Sequence, residues 1–170
     1  MAAVGATERP ALHMVCGKAG AGKSTLAGRL AEKPGTILIA QDPWMATLYP
    51  EMRTVDDYLR HVPRLRAAMG PHVAALLRAG LSVVLDWPAN TVESRAWMRG
   101  AAEAAGALHR LHWLDLSDGE CFARAEARNR EGRHPYRMTR AQFDEITALF
   151  EPPTAAEGFQ ITRHPLTPSP

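Results

Sequence analysis

Short apolar runs alternate with longer amphipathic stretches along this chain, the pattern of a parallel sheet whose strands are joined by helices. The runs at 12–16, 36–40, 81–85, 108–114 and, more weakly, 159–162 read as strands buried on both faces. Between them, 24–32, 55–78, 92–105 and 119–131 are rich in Ala, Leu, Arg and Glu and read as helices. Pro63 and Pro71 fall inside the second helix, which is expected to split or kink. A polar stretch at 132–138 precedes a last helix at about 139–150, with Thr139 as its N-cap and Pro152 and Pro153 as its stop. The tail at 165–170 is expected to fray. No internal repeat or linker interrupts the pattern, so the expectation is an α/β fold in one domain spanning 1–170.

Composition narrows the function. With 170 residues, 46% of them apolar, the chain suits one core rather than two. A net charge of +2 is far from the basic excess of a dedicated duplex-binding protein. Cys16 and Cys121 are far apart with no metal-ligand spacing, so both are expected to be buried apolar residues. No apolar stretch is long enough to read as a signal segment or a membrane span, so neither is expected and the expected compartment is the cytoplasm. Only three lysines occur, at positions 18, 23 and 33.

One of them completes the decisive motif. Gly17-Lys18-Ala19-Gly20-Ala21-Gly22-Lys23-Ser24 fits GxxxxGK[ST], with an apolar run before it and a helical pattern after it. In a shuffled chain with these 13 glycines, 3 lysines and 16 serines and threonines the pattern arises with a chance on the order of 10⁻³. Gly17, Ala19, Gly20, Ala21 and Gly22 are small enough for successive N–H groups to converge on phosphate oxygens at a helix N-terminus. Lys23 is then placed for the β- and γ-phosphates, Ser24 for Mg²⁺, and Thr25 for helix continuation or the α-phosphate. Lys18, inside the loop, is expected to be solvated. ATP and Mg²⁺ are the implied cofactors.

Phosphate loops serve several chemistries. There is no Asn-Lys-x-Asp segment for guanine and no LSGGQ-type signature, and the chain is short for an AAA+ motor with its lid domain. Small phosphotransferases remain. Asp42 follows the second strand, where a carboxylate either accepts a proton from a substrate hydroxyl or caps the turn before Pro43. Asp86 ends the run LSVVLD and is read as a Walker B carboxylate near Mg²⁺ or as a turn cap. Arg124 and Arg128, four apart on one helical face, either close on the transferring phosphoryl as part of a lid at about 124–138 or form surface pairs with Glu126 and Glu131.

Through MVCGKAGAGKST, AQDPW, VVLDWPANTVESR, LDLSDGECFARAEARNR and FEPPTAAEGF, the chain resembles the small P-loop kinases related to polynucleotide kinase, zeta toxin and gluconate kinase, often grouped as an AAA-type ATPase domain. The resemblance implies a three-layer α/β/α sandwich, a five-stranded parallel sheet in the order 2-3-1-4-5 and a small helical lid. It also implies Lys23 and Ser24 as nucleotide and Mg²⁺ residues, Asp42 as the acid beside the acceptor hydroxyl, and Arg124 and Arg128 as lid arginines. One departure is clear: where polynucleotide kinases carry an acceptor-binding arginine three residues after the acid, this chain has Met45.

For the acceptor, Trp44 and Trp87 are candidate stacking surfaces at the cleft rim or buried loop anchors. Asn90 and Thr91 are candidate caps, and Arg95 a candidate anion contact. Arg60, His61, Arg64 and Arg66 lie where related kinases build the acceptor wall. His134 and Tyr136 are candidates for flanking adenine. The expectation is an ATP- and Mg²⁺-dependent kinase acting on a small-molecule hydroxyl, as a monomer or homodimer, without membrane attachment. A nucleic-acid 5′-hydroxyl kinase and a slow ATP-dependent regulatory switch are the alternatives.

Overall fold

The computed structural model describes residues 9–132 and 137–164. Strands β1 (Ala11–Cys16), β2 (Thr36–Ala40), β3 (Ser82–Pro88), β4 (Leu108–Leu114) and β5 (Ile161–His164) form one sheet in the order β2-β3-β1-β4-β5. Every pairing in it is parallel. Helices α1 (Lys23–Ala31), α2 (Gln41–Leu48), α3 (Val55–Arg78), α4 (Val92–Ala104), α5 (Asp118–Glu131) and α6 (Arg140–Ala148) connect and flank the strands. This is the P-loop NTPase architecture. The chain leaves β1 toward β2 on one side and leaves β4 toward β5 on the other, so a crevice opens at the carboxyl end of β1.

Period-two alternation sends strand side chains to two different packings. Leu12, Met14, Val83, Leu85 and Leu111 join Val62, Leu65, Met69, Val73 and Leu77 of α3 and Met98 of α4 in the main core. Val15 and Val84 point the other way and meet Ala27 of α1. A smaller cluster joins Ala21 of the loop to Leu116, to Cys121 of α5 and to Phe143 of α6. Among the described residues no helix is long and apolar enough to cross a membrane.

Three departures from expectation bear on the site. The segment 55–78 does not split: α3 runs unbroken for 24 residues with Pro63 and Pro71 inside it. A continuous buried face from Val55 to Leu77 outweighs the lost hydrogen bonds, since each apolar side chain it buries contributes about 1.5–3 kcal/mol and an interior proline costs about 3. After β2 the chain makes a helix, α2, where a turn was expected; Pro43 sits in its first turn, where a missing N–H costs nothing. β3 continues two residues beyond Asp86, so that carboxylate lies within the strand.

Candidate functional site

The loop between β1 and α1 is shaped by glycine. Gly20 has φ +80° and a Cβ placed there would lie 2.1 Å from the carbonyl oxygen of Cys121, so the loop rests directly on the backbone of α5. Gly22, at φ +98°, is the N-cap of α1 and offers no side-chain acceptor, and no acid occupies that helix's first turn. By contrast α3, α4, α5 and α6 each begin with a capping box. The first N–H groups of α1 are therefore unclaimed by any N-cap side chain, and no acid of the helix's own first turn meets its positive end. Lys23 Nζ donates to the carbonyls of Gly17 (2.6 Å) and Lys18 (2.8 Å). Lys18 is not simply solvated: its ammonium pairs with Asp118 at the start of α5 and lies 5.7 Å from the centre of the Phe150 ring.

Carboxylates and an arginine converge on this loop. β1 and β3 pair through Met14 with Leu85, then jump to Val15 with Pro88, so Asp86 and Trp87 bulge out of the ladder. Asp86 shares the side of β3 that Val84 turns toward α1, whereas Trp87 turns into the main core. Burial pushes the Lys23 ammonium below its ordinary pKa, and the nearby carboxylate of Asp86, with a weaker contribution from Asp42, pulls it back. Asp42 occupies the first turn of α2, where its charge faces the helix's positive end. It acts electrostatically on Arg128 of α5 as well, opposing the desolvation that lowers that guanidinium's pKa. Arg128 Nε is buried without a hydrogen-bond partner. Arg124 lies one turn earlier on the same face of α5, half-buried. The structure thus brings Asp86 and Asp42 within electrostatic reach of Lys23, and Asp42 within reach of Arg128 as well.

Other expectations are redirected. Arg95 is not an acceptor contact: it is fully buried, bonding Glu157 through Nε (2.6 Å) and Nη2 (3.0 Å) and the carbonyls of Ala89 and Glu151 through Nη1. Trp87 is 1% exposed and stacked on Trp97, a core residue rather than a rim. Trp44 is exposed, but it sits two residues from Asp42 and so faces another side of α2. Thr91 caps α4, while Asn90 turns its side chain back to Gly17. Arg60 and Arg64 are exposed, and Arg66 approaches Glu93 of α4. His61 stacks on Tyr49 with 4.0 Å between ring centres. Both cysteines are buried, and burial pushes the Cys16 thiol up to about 12. Asn129 bonds both main-chain groups of Met138, at 2.7 and 3.0 Å, tying the end of α5 to the start of α6 across the expected lid. Arg133, His134 and Tyr136, like the tail at 165–170, lie outside the described residues.

Two contacts escaped the sequence reading. Gln41, 2% exposed, donates to the Tyr58 hydroxyl at 2.9 Å and ties the first turn of α2 to that of α3. The Asn90–Gly17 pairing spans 73 residues, which no local signal encodes. Pro43 was the available signal for α2, because proline in a first turn is as compatible with a helix start as with a turn.

The donors present suit a nucleotide and its Mg²⁺. Unclaimed N–H groups at α1, the Lys23 ammonium and the orphaned Arg128 Nε are all anion-seeking. Among the described residues no group of three or more His, Cys, Asp or Glu side chains could hold a metal ion by itself. Ser24 is exposed, and its hydroxyl and Asp86 are the oxygen-bearing side chains nearest in kind to what an Mg²⁺ carried by phosphate and water would take.

No curated protein matches the chain in sequence. Solved structures do match in fold. A putative kinase from Chloroflexus aurantiacus superposes with a TM-score of 0.72 at 18% identity, over 92% of this chain and 88% of that one. Kti12 of Chaetomium thermophilum, solved with ADP-AlF3, gives 0.66 at 18% identity over 90% and 88%. A gluconokinase from Sinorhizobium meliloti 1021 gives 0.60 at 20% identity over 92% and 83%. These likenesses concern the fold. The family described as AAA domain matches residues 12–153, from the strand before the phosphate loop to the prolines after α6, and the chain belongs to that family.

Proposed function

We propose that this protein is an ATP- and Mg²⁺-dependent kinase that phosphorylates a hydroxyl group on a small molecule. The observation that carries the reading is that Asp42, in the first turn of α2, lies within electrostatic reach of both Lys23 of the phosphate loop and Arg128 of α5. A carboxylate so placed orients an acceptor hydroxyl and takes its proton, while the two cations meet the charge of the phosphoryl group. Lys23 exchanges its carbonyl partners for phosphate oxygens. Arg128 supplies the guanidinium whose Nε has no partner in the protein. Ser24 and Asp86 hold the metal side, directly or through water. When bound, Mg·ATP supplies the transferable phosphoryl group and neutralises part of its charge. Arg124 is assigned to the same phosphoryl-directed face of α5 as Arg128.

A small acceptor is favoured over a polymer because the net charge is only +2 and the position three residues after Asp42 is the fully buried Met45, without a cation for a backbone phosphate. The gluconokinase and Kti12 folds are compatible with this reading. The test is phosphate transfer from labelled ATP to a panel of hydroxyl metabolites and to 5′-hydroxyl oligonucleotides. Lys23→Ala and Asp42→Asn are both expected to lower transfer by at least about 10²-fold, with Asp42→Asn still binding ATP. Full transfer by Asp42→Asn excludes the proposed base; labelling of oligonucleotides alone turns the reading to a nucleic-acid end kinase.

A further inference from the structure

Asn90 follows β3 and precedes the Thr91 cap of α4, yet its side chain serves neither element. Its Oδ1 accepts the Gly17 N–H at 3.0 Å and its Nδ2 donates to the Gly17 carbonyl at 2.9 Å. Only this orientation of the amide satisfies both contacts, since the reverse would oppose donor to donor and acceptor to acceptor. The backbone presenting it is held on both sides. Ala89 N–H donates to Val15 O at 3.0 Å, and Asn90 O accepts from Glu151 N at 2.8 Å. The buried Arg95 then joins the carbonyls of Ala89 and Glu151 from beneath.

The Gly17 carbonyl carries two donors, Asn90 Nδ2 and Lys23 Nζ. A nucleotide phosphate competes for the lysine. When the ammonium leaves, Gly17, the residue that opens the loop, keeps a donor on its oxygen and an acceptor on its nitrogen through Asn90, which thereby fixes the two successive peptide groups that meet at Gly17. Gly17, with φ +155° and no side chain, has no side-chain contact of its own to fix the turn there.

We propose that Asn90 is a positioning residue for the nucleotide: its amide clamps both main-chain groups of Gly17 and keeps the phosphate loop in binding geometry when Lys23 moves off the Gly17 carbonyl. The proposal rests on the nucleotide-binding reading of the loop and goes beyond it by assigning part of the affinity to the β3–α4 connection.

Affinity for a fluorescent ADP analogue, measured by titration on the full chain, tests it with Asn90→Ala, Asn90→Asp and Asn90→Ser, each checked for cooperative unfolding. Asn90→Ala and Asn90→Ser are expected to bind roughly tenfold more weakly than wild type, from the loss of one or both hydrogen bonds. Asn90→Asp keeps the acceptor for Gly17 N–H but sets a second oxygen against the Gly17 carbonyl. Its affinity relative to wild type should therefore recover as pH falls from about 8 toward 5.5 and the carboxyl begins to gain the proton that restores a donor. Loss of packing alone gives no such recovery. Wild-type affinity in Asn90→Ala or Asn90→Ser, or an Asn90→Asp affinity that keeps a constant ratio to wild type, overturns the proposal. Should Asn90→Asp not fold, Asn90→Ser decides by its affinity alone. A wild-type protein that fails to bind the analogue overturns the nucleotide reading itself, which is a separate outcome.

Discussion

Gly20 shows how closely the phosphate loop and the arginine helix are built together. Its positive φ and its approach to the Cys121 carbonyl both exclude a side chain, so Gly20→Ala must move the loop, α5 or both. The expected cost is about 2–4 kcal/mol, from strain in the left-handed region plus overpacking, with nucleotide affinity lost alongside it. Denaturant midpoints and nucleotide titrations of this variant check the claim, and an unchanged protein would show that the contact yields freely. At this scale much of the candidate site was legible. Lys23, Ser24 and the glycines follow from motif spacing, and Asp42 and Asp86 from their position after apolar runs. Arg95 was misjudged because an arginine one turn into a helix looks the same in sequence whether it faces solvent or a buried Glu157 distant in the chain. Asn90 reads as a cap in the sequence because capping chemistry is local, whereas its partner, Gly17, lies 73 residues away.

Among the elements, the half of the sheet formed by β1, β4 and β5 carries a row of imidazoles. His13 Nδ1 lies 3.0 Å from His112 Nε2, and His112 Nδ1 lies 2.9 Å from His164 Nε2. Burial, then the charges of His13, His164 and Arg110, lower His112 to about 4; burial and then Arg110 and Lys33 lower His13, and burial lowers His164. An imidazole whose folded pKa lies below its unfolded 6.5 stabilises the fold above pH 6.5, and that contribution is lost as pH falls toward 4. For His112, 6% exposed, the loss reaches at most about 3 kcal/mol. Unfolding midpoints in urea should fall between about pH 7.5 and 5, and less steeply in His112→Asn. A midpoint equal at both values would mean the row titrates alike folded and unfolded. The strands themselves are readable from apolar runs, and every helix but α2 from composition. The unbroken α3 was not, because proline's local cost is visible in sequence and the seven side chains it buries against the sheet are not.

For the whole molecule, the chain has one described sheet, a near-neutral charge and a phosphate loop whose lysine sits on main-chain carbonyls while it waits for an anion. Binding to that state alone stabilises the fold by mass action. At 100 times its dissociation constant, Mg·ADP is expected to add about 2.7 kcal/mol, seen as a higher unfolding temperature in the wild type and not in Lys23→Ala. An equal shift in both would place the nucleotide elsewhere. α5 is tied to the loop through Lys18 with Asp118 and through the Gly20 contact, so Arg128 and the loop are expected to move as one body.

What the sequence determined by itself is whatever is written in neighbouring residues: the alternation of strands and helices, the phosphate loop and the acids that follow the strands. Those features obey short-range periodicity and backbone sterics, and so survive being read one window at a time. Tertiary structure alone decided which charges meet. Asp42 comes within electrostatic reach of Arg128 and Lys23 because α2, α5 and the loop share one end of the sheet. Asn90 reaches Gly17 because β3 lies beside β1 in the strand order, while Arg95 is withdrawn to Glu157 by burial. Burial, electrostatic reach and long-range hydrogen bonds depend on distances between elements, and those distances exist only once the chain has folded.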